Sequence, residues 1–292
     1  MTQRWTVDGI DWSRFDASRV DPEILETVKA AALVEANSPD YVTYLKNVFP
    51  DDPALHADFE QWGVEEAQHG EALARWAEMA DPTFDFKQSL KHFKDGYSIP
   101  LDATQSVRGS RAGELIARCV VEVGTSSFYS AIRDAAEEPV LKEVCANIAK
   151  DEIHHYRLFR DNLDAFKNAD GKLPLPLKLK VALGRIAEAE DDELAYAFYS
   201  ANEAGRTDPR PYDRKTYARA YWRRAMGLYR AEHIARALRM VLKAVDMKTD
   251  GWLARNLSKL LWRVVRFRAA RLARAEAKAA ARDGIRSEAR TA

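Results

Sequence analysis

Apolar residues along this chain recur at intervals of three and four rather than alternating, which predicts helices throughout and no sheet. The first pattern covers about 21–49; it opens on the helix-start pair Asp21-Pro22 and bends near Pro39. A second runs from about Asp52 to Met79 and stops before Asp81-Pro82. The stretch 81–107 mixes Pro, Gly and short polar runs and reads as a long crossover connection. A third helix is expected over 109–136. A fourth runs from near Glu138-Pro139 to about Asn168, ahead of a Gly171-Lys-Leu-Pro turn. Further helical patterns occupy about 175–203 and 213–246, and a basic helical segment follows Gly251, its tail beyond about 283 expected to fray. The organisation expected is an N-terminal segment 1–20, a four-helix bundle over 21–170, additional helices packed on it over 171–246, and a basic amphipathic helix and tail over 247–292.

Four of these patterns carry polar residues in the middle of an apolar seam. On the second helix Phe59, Trp62, Glu66, His69, Leu73 and Trp76 are spaced 3, 4, 3, 4 and 3; on the fourth, Leu141, Cys145, Ile148, Glu152, His155 and Phe159 are spaced 4, 3, 4, 3 and 4. Glu-x-x-His interrupts both seams. The first helix reads Ile24, Val28, Ala31, Glu35, Ser38, Val42, and the third Leu115, Cys119, Glu122, Ser126, Tyr129, so each adds one inward glutamate. Glu35 precedes Glu66 by 31 residues and Glu122 precedes Glu152 by 30, as two helix-turn-helix halves require. Four buried carboxylates without counter-charge would be prohibitively costly, and two divalent cations remove the cost. Glutamate and neutral histidine suit iron or manganese, and the i,i+3 spacing lets both side chains of a pair reach one ion. The expected metal ligands are Glu35, Glu66, His69, Glu122, Glu152 and His155. The expected cofactor is two iron ions, with manganese the alternative.

At these residues the chain resembles the ferritin-like superfamily of di-iron carboxylate proteins, over about 21–166, and the fold class it implies is an all-α ferritin-like bundle with additional C-terminal helices. Within that group the acyl-carrier-protein desaturases look closest. Their paired (Asp/Glu)-Glu-x-x-His motifs are matched by Glu65-Glu66-Ala-Gln-His69 and Asp151-Glu152-Ile-His-His155. Their third-helix glutamate is followed three residues later by a threonine near the oxygen site, and here Glu122 is followed by Thr125. The resemblance implies a catalytic part for Thr125; hydrogen bonding back to its own helix is the other reading. A ribonucleotide-reductase radical subunit is disfavoured, because Leu73 stands where that family places its radical tyrosine. Rubrerythrin-like proteins remain an alternative, although without a CxxC pair there is no built-in rubredoxin centre and electrons have to come from an external donor.

Several neighbours carry two readings each. Trp62 packs in the core, or lines the metal pocket or carries an electron; Gly124, Ser126 and Ser127 leave space beside Glu122 or allow close helix contact; Tyr129 packs, or is redox-active or hydrogen-bonds a ligand. His154 points away from the seam, and His233 lies outside the repeat. Cys119 and Cys145 read as small core residues rather than a disulfide or zinc site.

Composition agrees with a helical globular protein: of 292 residues only 13 are Gly and 11 Pro, and 47% are hydrophobic. The start of the chain carries no leader pattern and no apolar run is long enough to span a membrane, so a cytoplasmic protein is expected. Net charge is zero but uneven. Residues 210–292 hold 22 Lys/Arg against 7 Asp/Glu, a balance of +15 that leaves −15 on residues 1–209. Three occupants compete for the basic amphipathic helix: the protein's own acidic bundle, an anionic membrane surface that would make the protein peripheral, and an acidic partner such as an acyl carrier protein. A homodimer is open, and no nucleic acid is expected. The leading functional expectation is a di-iron, O2-dependent oxidoreductase of hydroxylase or desaturase type acting on an apolar, acyl-like substrate. The second is a ferritin-like protein that handles iron or scavenges peroxide, and the third a scaffold with a vestigial site.

Overall fold

The computed structural model describes residues 4–169, 173–188 and 192–291, with the backbone alone for 167–169, 253 and 276–291. The Gly171 turn and the side chain of Leu253 lie outside the described residues. Every regular element described is helical, as the spacing predicts. After short 3-10 turns at Val7–Gly9, Trp12–Arg14 and Ala17–Arg19 come α1 (Pro22–Glu35), α2 (Ser38–Val48), α3 (Pro53–Ala80), α4 (Phe86–Gly96), α5 (Arg111–Ala135) and α6 (Pro139–Ala169). They are followed by α7 (Leu175–Glu188), α8 (Asp192–Asn202), α9 (Arg214–Leu228), α10 (Ala231–Ala244) and α11 (Trp252–Thr291).

Capping explains most of the boundaries. Asp21 accepts from the backbone of Glu23 and Ile24, Asp52 from Leu55, and Ser110 from Gly113, each satisfying a first-turn N–H that the helix leaves free. Three expectations need correcting. The bend near Pro39 is a break: proline has no N–H and its ring collides with the carbonyl four residues back, so α1 ends at Glu35 and α2 restarts at Ser38. The connection 81–107 holds α4, which starts where Asp85 caps the N–H of Gln88. The pattern over 213–246 divides into α9 and α10 at Tyr229-Arg230.

Two apolar clusters lie at opposite ends of a polar layer. On α3 the order is Phe59 and Trp62, then Glu66 and His69, then Leu73 and Trp76; on α5 it is Leu115 and Cys119, then Glu122, then Tyr129 and Ile132. On α6 the same clusters appear reversed, with Leu141, Cys145 and Ile148 before Glu152 and His155, and Phe159 and Leu163 after them. Helix α1 likewise contributes Ile24, Val28 and Ala31 before Glu35. Hence α1 and α6 run one way and α3 and α5 the other. The chain between α3 and α5 has to return along the whole bundle, which is why that connection is long. Helices α8 and α9 pack on α1, while α7 and α10 pack on α5. No disulfide links Cys119 and Cys145, which are buried in these clusters.

Candidate metal centre

All six seam residues meet in the polar layer. Ligand atoms of Glu35, Glu66, His69 and Glu152 lie within 4.8 Å of one another, and so do those of Glu66, Glu122, Glu152 and His155. Glu66 and Glu152 belong to both groups, so the layer is two adjoining sites with shared carboxylates. Nδ1 of His69 is 3.6 Å from Glu35 and 3.3 Å from Glu152; Nδ1 of His155 is 2.9 Å from Glu66, 3.6 Å from Glu122 and 3.8 Å from Glu152. None of the six is more than 7% exposed.

The donor set fits divalent cations. Each of the six residues presents a buried atom without a hydrogen-bond partner: one oxygen each of Glu35, Glu66, Glu122 and Glu152, and Nδ1 of His69 and of His155. Six such atoms facing one another would be a heavy penalty in an ordinary core. Protons are another remedy. Burial, reinforced by the charges of Glu152 and Glu35, pushes Glu66 far above the usual carboxylate range, and burial pushes Glu122 up to about 8. Burial acts against protonation of His69 and His155, but the surrounding carboxylates prevail and raise both; burial would raise Glu152 too, but the two histidines hold it low.

The outer nitrogens of the histidines are fixed crosswise. Nε2 of His69 on α3 meets Asp151 of α6 at 3.2 Å, and Nε2 of His155 on α6 meets Glu65 of α3 at 2.9 Å. Each carboxylate thus orients the histidine of the opposite helix and leaves Nδ1 facing inward, the arrangement that metal-binding histidines need. The N-terminal segment closes the layer from outside: Arg4 donates to Asp151 at 2.7 Å and to Glu65 at 3.1 Å, and the Trp5 indole donates to Asp151 at 2.6 Å. The Trp5 ring also stacks on His69, with centroids 6.1 Å apart. Asp151 lies outside the apolar seam and Arg4 and Trp5 outside every helix, so periodicity singles out none of them. Only the acidic residue ahead of each Glu-x-x-His hints at Glu65 and Asp151.

The Thr125 hydroxyl lies 2.7 Å from Oε2 of Glu152 and within 3.3 Å of the backbone oxygens of Val121 and Glu122, so both readings of this residue have geometry behind them. Tyr129 donates to Glu35. Trp62 is both packed and lining: its ring meets His155 and Phe159 edge-on, and it borders a cavity. Ser126 sits between α5 and α6 with its hydroxyl on the Ala149 carbonyl, whereas a Cβ on Gly124 would meet nothing within 4 Å. His154 is half-buried and outside both ligand groups. His233 accepts from the Arg230 backbone and meets Asp134 at 2.9 Å, which makes it a helix cap. Asp134, Glu232 and His233 do come within ligand distance of one another, but both ring nitrogens of His233 are occupied.

The cavity is about 200 Å³ and abuts the polar layer. Its lining includes Glu35, Glu66 and Thr125, the apolar Val34, Val121, Phe128, Leu194 and Trp222, and the charged Arg118, Arg185, Glu188 and Glu193. Arg118 is buried beside Glu114 and lies over the Tyr41 ring, and Tyr41 donates to Glu193. Such a volume takes a small molecule or one end of a longer one. Against known proteins, no protein-family model and no curated protein sequence matches this chain.

Proposed function

We propose that this chain is a ferritin-like di-metal oxidoreductase that holds two iron ions and uses O2 and an external electron donor to oxidise an apolar substrate by hydroxylation or desaturation. The observation that carries the reading is the polar layer itself: six buried, mutually facing ligand atoms without hydrogen-bond partners, drawn from four helices and backed by crossed carboxylate–histidine contacts. The antiparallel course of α1 and α6 against α3 and α5, with the long return between α3 and α5, supports the ferritin-like assignment. Glu35, Glu66, His69 and Glu152 would hold one ion and Glu66, Glu122, Glu152 and His155 the other. When bound, such a pair supplies redox chemistry toward O2 that the side chains lack. The protein's part is positional. Asp151 and Glu65 orient the two histidines, Thr125 holds a proton at Glu152, and the surrounding apolar clusters exclude water.

The cavity favours this reading over iron handling or peroxide scavenging, neither of which calls for an apolar chamber beside the ligands. Its lining combines apolar and charged side chains, so the substrate class is an apolar molecule that carries a polar group. Two variants test the proposal in sequence. Elemental analysis of protein expressed with ample iron should find close to two irons per chain, lost in Glu152→Ala/His155→Ala. Gly124→Leu should then keep the iron and abolish turnover, because its side chain extends into open space in the cavity wall. Metal-free, stable wild-type protein would remove the di-iron reading; full turnover by Gly124→Leu would remove the cavity from it.

A further inference from the structure

Residues 251–275 contain seven Lys/Arg and no Asp or Glu. Residues 252–275 form the first part of α11, and the structure divides this helix into two apolar faces where the sequence pattern suggests one. Ala254 is buried, and Leu257, Val265, Ala269 and Leu272 are half-buried. This face docks on α9 and α10; Leu238 and Leu242 of α10 cluster with Ala254 and Leu257. The other face is open. Leu260 is 56% exposed, Val264 46% and Phe267 69%, and their spacing of four and three aligns them along one side of the helix. Lys259, Arg263, Arg266, Arg271 and Arg274 are exposed around them, and Trp252 at the start of the helix is 74% exposed.

We infer that this open face of α11 lies on an anionic phospholipid surface. The charge is complementary, since cations border the apolar line and no acidic side chain within 251–275 offsets them. The composition fits lipid as well. Arginine stems can lie along acyl chains while their guanidinium groups reach phosphate, and exposed Phe and Trp suit the headgroup boundary. Among the described residues no helix is long and apolar enough to cross a membrane, so the contact is peripheral. It also stands near the cavity. Helix α9, on which α11 docks, carries Tyr221, Trp222 and Ala225 of the cavity wall, and Tyr229 of that wall directly follows it. The inference is independent of any bound metal, because it rests on α11 alone.

Vesicle flotation of the full chain tests it, using phosphatidylcholine vesicles with and without about 30% phosphatidylglycerol. The protein should float with the anionic vesicles, stay behind with the neutral ones, and be released by about 0.5 M salt. Arg263→Gln/Arg266→Gln/Arg271→Gln should weaken partitioning about 100-fold, and Leu260→Ser/Val264→Ser/Phe267→Ser at least tenfold. These side chains are exposed, so circular dichroism should show both variants folded. Equal flotation with neutral vesicles, or flotation untouched by both variants, overturns the inference. So does a wild type that ignores vesicles but sediments as a dimer that the serine variant dissociates, which assigns the face to a second copy. A wild type that ignores vesicles and binds poly-glutamate overturns it in favour of an acidic protein.

Discussion

Asp151 and Glu65 lie outside both candidate ligand groups, yet each determines what a histidine can do. A neutral imidazole has one donor and one acceptor nitrogen, and a carboxylate at Nε2 makes that nitrogen the donor and leaves Nδ1 the lone pair. Glu65→Gln or Asp151→Asn should therefore fold normally and bind metal about 10- to 100-fold more weakly, as read by competition with a chelator. Arg4→Gln should have a smaller effect in the same direction, because its side chain is 30% exposed and water can replace it. The contact between Lys29 and Asp81, 2.5 Å long, is purely structural. Burial pushes the Asp81 carboxyl up, but hydrogen bonds from Lys29 and Thr83 outweigh it and hold the group at about 2. A depressed carboxylate adds stability above its unfolded pKa and loses it as pH falls through the folded one. Asp81→Asn should thus cost about 1 kcal/mol at pH 7, an amount reduced by partial exposure, and the difference should fade between about pH 4 and pH 2 in urea titrations.

Close approach governs at the scale of the elements. A Cβ on Gly70 of α3 would lie 2.8 Å from the backbone nitrogen of Ala36 and 3.0 Å from its Cβ. Ala36 directly follows Glu35, so the absence of a side chain at Gly70 lets the end of α1 come near enough for Glu35 to reach the layer. Gly70→Val should destabilise the protein by about 1–3 kcal/mol and lower metal content. Gly124 is the opposite case. Its position opens on a cavity and a Cβ there would meet nothing within 4 Å, so replacing it with leucine removes a helix-weakening glycine and should leave unfolding stability equal or higher. The two glycines thus separate positions where a side chain is excluded from positions where space is kept.

Across the whole molecule, the apolar core is interrupted at mid-length by a layer of charge, an arrangement whose stability depends on what neutralises it. Ligands that bind only the folded chain stabilise it by mass action, at about 2.7 kcal/mol for a site held at 100 times its Kd. Thermal unfolding should accordingly shift upward on iron or manganese addition, shift back on chelation, and stay unmoved in Glu152→Ala/His155→Ala. Equal shifts in wild type and variant would place the metal elsewhere.

Periodicity determined the helical class, the four seams and the six facing residues, because a helix repeats every 3.6 residues and a polar residue in an apolar stripe is conspicuous. It also supplied the order of the two halves through the Glu35–Glu66 and Glu122–Glu152 spacings. Tertiary structure alone decided the rest. Arg4 and Trp5 reach Asp151 across some 146 residues of chain from a segment with no helical repeat, so no local pattern could have joined them. The cavity is bounded by α1, α2, α3, α5, α7, α8 and α9, and empty space between helices leaves no mark on any one of them. The two faces of α11 have similar composition, and docking on α9 and α10 is what buried one and left the other to solvent. Local spacing encodes which side of a helix is apolar; only packing decides which apolar side finds a partner.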